Sequence, residues 1–149
     1  MNATIDIQKR LLQYNIKPSL QRIAVMQYLM ENKTHPTADM IYAALSPAMP
    51  TLSRTTIYNT LKLLSEQGAI FALNIDEKNV RYDVDIAIHA HFRCKKCGRV
   101  YDFPNNFTSE NSQNLMQAKD IHITECQIYY KGYCKECKKT SINKIITNF

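Results

Sequence analysis

Over the first 68 residues the apolar positions recur every three or four places, the spacing of a helix with one buried face. A first helix fits about Ile5 to Tyr14, and Pro18 breaks it. Ser19 is a natural N-cap for a second helix, with Leu20, Ile23, Ala24, Met26, Leu29 and Met30 as its inner stripe. The run Asn32-Lys33-Thr34-His35-Pro36 interrupts the pattern, and Thr37 caps a third helix that turns Ile41, Tyr42 and Leu45 inward. Ser46-Pro47-Ala48-Met49-Pro50 is a loop. Ser53 then caps a fourth helix with the stripe Ile57, Leu61 and Leu64, ending at Gly68. Beyond Gly68 the period shortens to that of strands. Ile70–Ile75 and Val80–Val84 flank the polar turn Asp76-Glu77-Lys78-Asn79 as a hairpin. Later elements are predicted as a strand at His91–Cys94, a strand at Val100–Phe103, a helix at about Ser109–Lys119 and a strand at Ile121–Tyr130. A cysteine-bearing end follows, and the tail Thr140–Phe149 reads as a short helix or as unstructured.

Short helices followed by a two-stranded hairpin make the winged helix-turn-helix pattern, and the remainder is a small mixed unit, so the predicted class is α+β. The predicted division is residues 1–84 for the winged-helix domain, 85–90 for a hinge and 91–149 for an α/β domain. A chain of 149 residues is long enough for one ordinary domain or two small ones, and a small second domain needs support beyond its core. Hydrophobic residues at 45% and charged residues at 21% exclude wholesale disorder. No apolar run approaches the roughly 20 residues that span a bilayer. The start, MNATIDIQKRLLQ, lacks a basic segment followed by an apolar one, so a cytoplasmic protein with reduced cysteines is expected.

Cys94-Lys95-Lys96-Cys97 and Cys134-Lys135-Glu136-Cys137 are two C-x-x-C pairs. Each pair brings two thiolates to one ion, and two pairs complete the tetrahedral shell of a structural Zn²⁺. The metal would supply the support that the second domain requires. Lys95, Lys96, Lys135 and Lys138 beside the cysteines favour the thiolate, and Gly98 gives the first pair room to turn. The competing readings are disulfides, which the expected lack of a secretory signal disfavours, and redox-active pairs. Redox pairs usually sit at a helix start in a strand-helix-strand setting, which the pattern does not suggest here. The fifth cysteine, Cys126, is expected as a small buried hydrophobe on a strand.

His89 and His91 are two apart, so on an extended segment both imidazoles point to one side. Asp83 closes the wing and Asp102 lies in the strand after the first cysteine pair, and His35 could join them. A nitrogen and oxygen shell without thiolate suits iron(II), manganese or zinc. The spacing leaves a second reading open, in which the histidines lie on a surface strand and the aspartates are turn residues. His122 has no companion nearby and is expected to be structural or solvent-facing.

Ser53-Arg54-Thr55-Thr56-Ile57-Tyr58-Asn59-Thr60-Leu61 has the chemistry of a DNA-reading helix. Ser53, Thr55 and Thr56 can hold phosphates at a helix start, and Arg54 can reach a phosphate or a guanine. Asn59 can pair with adenine, Tyr58 can pack on a thymine methyl, and Lys62 extends the face. Lys17 and Arg22 complete its cations. An ordinary solvated face is the competing reading. The net charge of +6 is a weak pointer, because residues 86–149 carry 10 basic and 5 acidic side chains whereas residues 1–85 carry 9 and 8. Most of the positive excess therefore surrounds the cysteine pairs.

Taken together, Gln21-Arg22, His35-Pro36-Thr37-Ala38, the run 53–61, Gly68, Arg81-Tyr82-Asp83, His89-Ala90-His91, Cys94-x-x-Cys97-Gly98 and Cys134-x-x-Cys137 resemble the ferric-uptake-regulator (Fur) superfamily of metal-dependent bacterial transcription regulators. The resemblance runs from about Leu11 to Cys137. It implies a homodimer on double-stranded palindromic operator DNA, with the second domain serving dimerisation and the four-cysteine zinc structural. It also implies a second metal at the hinge that draws the domains into a shape fitting the operator. The chain looks most similar to the peroxide-sensing PerR branch, whose regulatory Fe²⁺ or Mn²⁺ ligands fall on His35, Asp83, His89, His91 and Asp102. That branch implies iron-catalysed oxidation of a ligand histidine, His35 or His89, which loosens the metal and releases DNA. The alternative within the family is an iron- or manganese-responsive uptake regulator. A further metal site of many iron regulators is expected to be absent or altered, since the corresponding run reads Ile88-His89-Ala90-His91. An enzyme at the histidines and a zinc-ribbon interaction module are the readings from other classes. Neither an H-E-x-x-H run nor a nucleophile constellation supports an enzyme.

Overall fold

The computed structural model describes residues 3–103 and 110–141. The chain divides into two compact units, with the boundary between Ile86 and Ala87.

The first unit holds helices α1 (Ala3–Gln13), α2 (Leu20–Glu31), α3 (Ala38–Leu45) and α4 (Arg54–Glu66), then strands β1 (Phe71–Leu73) and β2 (Arg81–Asp83). Each predicted cap is made. The side chains of Ser19, Thr37 and Ser53 accept the backbone N–H of Arg22, Met40 and Thr56. Helix α4 stops where Gly68 takes a φ of +79°, which a side chain would strain. There Gly68 N–H reaches Ser65 O at 3.0 Å and Ala69 N–H reaches Leu64 O at 2.9 Å, the paired bonds of a Schellman turn. Ile57, Leu61 and Leu64 are fully buried in the centre of the core with Leu11, Ile16, Val25, Met26, Leu29 and Ile41. Leu61→Ala should lower unfolding free energy by about 2–5 kcal/mol, read from the denaturant midpoint, because α2 and α3 pack on α4 and a fully buried side chain removed there leaves a cavity.

One stripe differs from expectation. Leu20 is 78% exposed, whereas Val25, Met26 and Leu29 are buried. At about 100° per residue, Leu20 lies roughly 180° around α2 from Leu29, so the two cannot share a buried face. The hairpin is also shorter than predicted, with three residues in each strand paired Phe71↔Asp83, Ala72↔Tyr82 and Leu73↔Arg81. The far edge of β2 is taken by the α2–α3 loop, through a Thr37↔Arg81 bridge and a Tyr82 N–H to Pro36 O bond of 3.1 Å.

The second unit contains β3 (Ala90–Cys94), β4 (Val100–Phe103), α5 (Glu110–Lys119), β5 (Ile128–Gly132) and α6 (Lys135–Ser141). Its sheet has the order β4-β3-β5, with β3 antiparallel to β4 and parallel to β5. The predicted strand at Ile121–Tyr130 is corrected: only Ile128–Gly132 pairs, because β3 offers five residues to its parallel neighbour. Residues 121–127 carry no strand, and the alternation of Ile121 and Ile123 is not used by the sheet. Cys126 accordingly is exposed rather than buried, and His122 is exposed. Helix α6 lies in a charged run with no apolar period, and its first turn is closed by Lys138 N–H on Cys134 O at 2.8 Å. Ser109, the expected start of α5, and most of the tail from residue 142 lie outside the described residues. No helix among the described residues is long and apolar enough to cross a membrane.

Candidate metal centres and nucleic-acid interface

The register of the second unit gathers the cysteines. Cys94 ends β3 opposite Gly132 of the parallel strand β5, and Cys134 follows two residues later. Gly98, at a φ of +74°, folds the first pair back, with Gly98 N–H on Cys94 O at 2.9 Å and Cys94 N–H on Arg99 O at 3.0 Å. The sulfurs of Cys94, Cys97, Cys134 and Cys137 lie within 4.8 Å of one another. Cys97 and Cys134 are 3.9 Å apart, far beyond a disulfide bond. Four sulfurs about 2.3 Å from a tetrahedral Zn²⁺ are roughly 3.8 Å from each other, so the donor set fits that ion.

Burial opposes ionisation of Cys94, but the backbone N–H groups of Cys134, Cys97 and Lys96 and the Cys97 side chain outweigh it and bring the thiol from 9.0 to about 6. Main-chain N–H groups thus do what the sequence assigned to the flanking lysine charges. Cys137 moves the other way, pushed up to about 12 first by its hydrogen bond with Cys134 and then by burial. These hydrogen bonds favour the thiolate on Cys94 and the proton on Cys137, so a cation entering the cluster displaces protons from it. The second pair does stand at a helix start, contrary to expectation. Its sulfurs are nevertheless grouped with those of the first pair, and an isolated redox dithiol would not be.

Two further donor groups lie in separate units. In the first, His35 Nε2 is 3.4 Å from Asp83 Oδ2, and both side chains are almost fully buried, at 3% and 5% exposure. In the second, β4 sets Asp102 opposite His91 of β3. His89 Nε2 lies 2.9 Å and His91 Nε2 3.4 Å from the same oxygen, Asp102 Oδ1. The two rings are 4.3 Å apart by centroid, as the i, i+2 spacing predicts. His89 Nδ1 sits 2.7 Å from Ala87 O, which orients the ring with Nε2 toward the carboxylate.

On α4, Ser53, Arg54, Thr55, Tyr58, Asn59 and Lys62 are exposed and Thr56 is half-buried. Ser53 Oγ is already occupied as the cap of Thr56 and by its hydroxyl at 2.9 Å. A cavity of about 230 Å³ between the start of α2 and α4 is lined by Ser19, Gln21, Arg22, Thr56, Asn59 and Thr60. Arg22 Nη1 donates to Lys17 O at 2.7 Å, which ties the two cations of that end together. Sequence reasoning missed what holds Arg54. Its guanidinium donates to Asp39 Oδ1 and lies 4.5 Å from the Tyr42 ring centre. Asp39 and Tyr42 are three apart on α3, a spacing that shows a shared face but not its occupant.

A winged helix whose fourth helix exposes a polar face, joined to a unit with a four-cysteine cluster and an imidazole–carboxylate cluster, is the build of a metal-responsive DNA-binding regulator. The chain belongs to the ferric uptake regulator family, whose sequence profile matches residues 13–131. It is 39% identical over 119 residues to the peroxide-responsive repressor PerR of Staphylococcus epidermidis, covering 80% of this chain and 79% of that one. In fold it is similar to the Helicobacter pylori ferric uptake regulator Fur, described with three functional metal binding sites (TM-score 0.72, 21% identity, 91% of this chain and 93% of the other). It is similar also to a zinc uptake regulator complexed with zinc and DNA (TM-score 0.70, 21% identity, 93% and 95%). The chain is thus a regulator and not an enzyme.

Proposed function

We propose that the chain is a cytoplasmic transcriptional repressor that binds a palindromic operator as a homodimer when loaded with metal, and releases it on peroxide stress. The observation that carries this reading is the division of a thiolate-free donor set: His35 and Asp83 belong to one unit, and His89, His91 and Asp102 to the other. Neither share alone fills the shell of a divalent transition ion. An Fe²⁺ or Mn²⁺ taken by both would be held by nitrogen and oxygen donors that suit it, with two carboxylates to balance its charge. Such an ion favours whichever arrangement of the units brings the five side chains together, and it controls DNA binding only by that difference in affinity. Cys94, Cys97, Cys134 and Cys137 would hold a separate, structural Zn²⁺.

In this reading Ser53, Thr55 and Thr56 meet backbone phosphates, and Arg54, Tyr58 and Asn59 meet base edges or the backbone. Lys17, Arg22 and Lys62 add phosphate contacts. Arg54 must exchange its Asp39 partner for DNA or carry it into the complex.

The identity to a peroxide-responsive repressor supports peroxide sensing. Bound Fe²⁺ would supply the electron that splits the peroxide O–O bond and would regain it from the ring, so that one peroxide oxygen ends on the imidazole and the other leaves as water. His35 and His89 are the side chains expected to gain an oxygen, and an oxidised imidazole is a weaker donor. Mass spectrometry of the iron-loaded protein after mild peroxide should find one added oxygen on a peptide containing His35 or His89, and none in the manganese-loaded protein. No added oxygen, with metal-dependent DNA binding intact, would make the chain an iron- or manganese-responsive regulator instead.

A further inference from the structure

We infer that Arg81 is a positioning residue for the regulatory metal, fixing the His35 main chain so that its imidazole faces Asp83 before any ion arrives. The inference rests on the reading of His35 and Asp83 as ligands. His35 has a φ of +52°, a region that residues other than glycine enter uncommonly. The residue after it is Pro36, which by itself drives the preceding residue toward extended backbone. The conformation is therefore doubly disfavoured, and something must hold it.

The restraint comes from β2. Tyr82 N–H bonds Pro36 O at 3.1 Å, and Thr37 bridges Arg81 through the backbone. A side chain of the strand bonds His35's own main chain directly: Arg81 Nη1 donates to His35 O at 3.3 Å. The guanidinium is itself fixed from behind. Its Nε and Nη2 lie 3.2 and 3.1 Å from Asp76 Oδ2, and Asp76 Oδ1 takes Lys78 N–H at 3.0 Å. The Asp76 side chain is 5% exposed and that of Arg81 16%, so the pair is shielded from water. Asp83 lies two residues beyond Arg81 on the same strand. One strand thus carries one ligand directly and holds the backbone of the other through a planar, three-pronged group. Lysine cannot copy this, because its single ammonium lacks the rigid fork that meets Asp76 Oδ2 through two nitrogens while a third reaches His35 O.

The test uses the full-length, zinc-loaded protein and manganese(II) alone, with free manganese followed by electron paramagnetic resonance. Wild type should bind one manganese per protomer, and His35→Ala should abolish that binding. Arg81→Lys, which keeps the charge opposite Asp76, should weaken manganese about 10–100-fold, the usual effect of losing a group that orients a ligand. Its zinc content should be unchanged. In the metal-free variant, the His35 amide-to-α-proton coupling should depart from the wild-type value, a readout that a loss of stability alone does not move. If Arg81→Lys does not fold, Asp76→Asn, which leaves the guanidinium without its charged anchor, should weaken manganese in the same direction. Wild-type manganese affinity in the folded variant, with His35→Ala inactive, would overturn this inference alone. Failure of wild type to bind manganese would instead overturn the regulatory reading, and the inference with it.

Discussion

Cys94→Ser is expected to strip zinc from the protein and unfold the second unit while the first stays folded. The second unit has roughly 60 residues, a size at which a core alone is marginal. Its buried apolar residues, among those described, are Ala90, Cys94, Val100 and Cys134, two of which are themselves donors to the cage. The first unit instead buries a continuous cluster from Ile7 to Val84. A structural zinc contributes on the order of 10–16 kcal/mol, as much as the whole stability of an ordinary domain. Cys94 is the position where its loss should be felt most, because its sulfur is buried and also accepts Cys134 N–H at 3.4 Å, joining the two pairs. Zinc per protomer should fall below one, and amide resonances of β3–β5 should collapse while those of α1–α4 persist. A zinc-free protein with an intact second unit would refute the structural assignment.

His35→Ala is the second large effect expected, and it should be the reverse in kind. Zinc and fold should remain, since His35 lies in the α2–α3 loop outside the thiolate cage. The dependence of operator binding on manganese should disappear. An allosteric ligand typically couples to its partner by about 1–3 kcal/mol, or 5–150-fold in affinity. Losing the ligand therefore removes a change of that size without altering the reading helix. Asp83→Asn should act in the same direction, as it takes away both a donor and one of the charges that balance the ion. Operator binding measured by anisotropy across a manganese titration reads both variants. A full manganese response in His35→Ala would show that this residue is no ligand.

Much of the first unit was legible because its signals are local. Ser19, Thr37 and Ser53 cap helices by their own side chains, and Gly68 ends α4 by a conformation available within two residues. The four cysteines were legible because paired knuckles need only close spacing to identify them. What was not legible depends on partners far along the chain. Leu20 is the exception, a misread local phase, because helical spacing alone sets it opposite Leu29 on α2. The strand predicted at Ile121 shrinks because its neighbour β3 is short. Cys126 then falls outside the sheet and loses the burial expected of it. The positioning of His35 by Arg81, 46 residues away, and of Arg54 by Asp39, 15 away, leaves no periodic trace at all.

The most direct measurement is wild-type operator affinity, at fixed salt, for zinc-loaded dimer with and without manganese(II). Tight binding of palindromic DNA only when manganese is present, with one manganese per protomer beyond the zinc, is the predicted result. Equal affinity in both conditions would contradict a regulatory metal held by His35, Asp83, His89, His91 and Asp102.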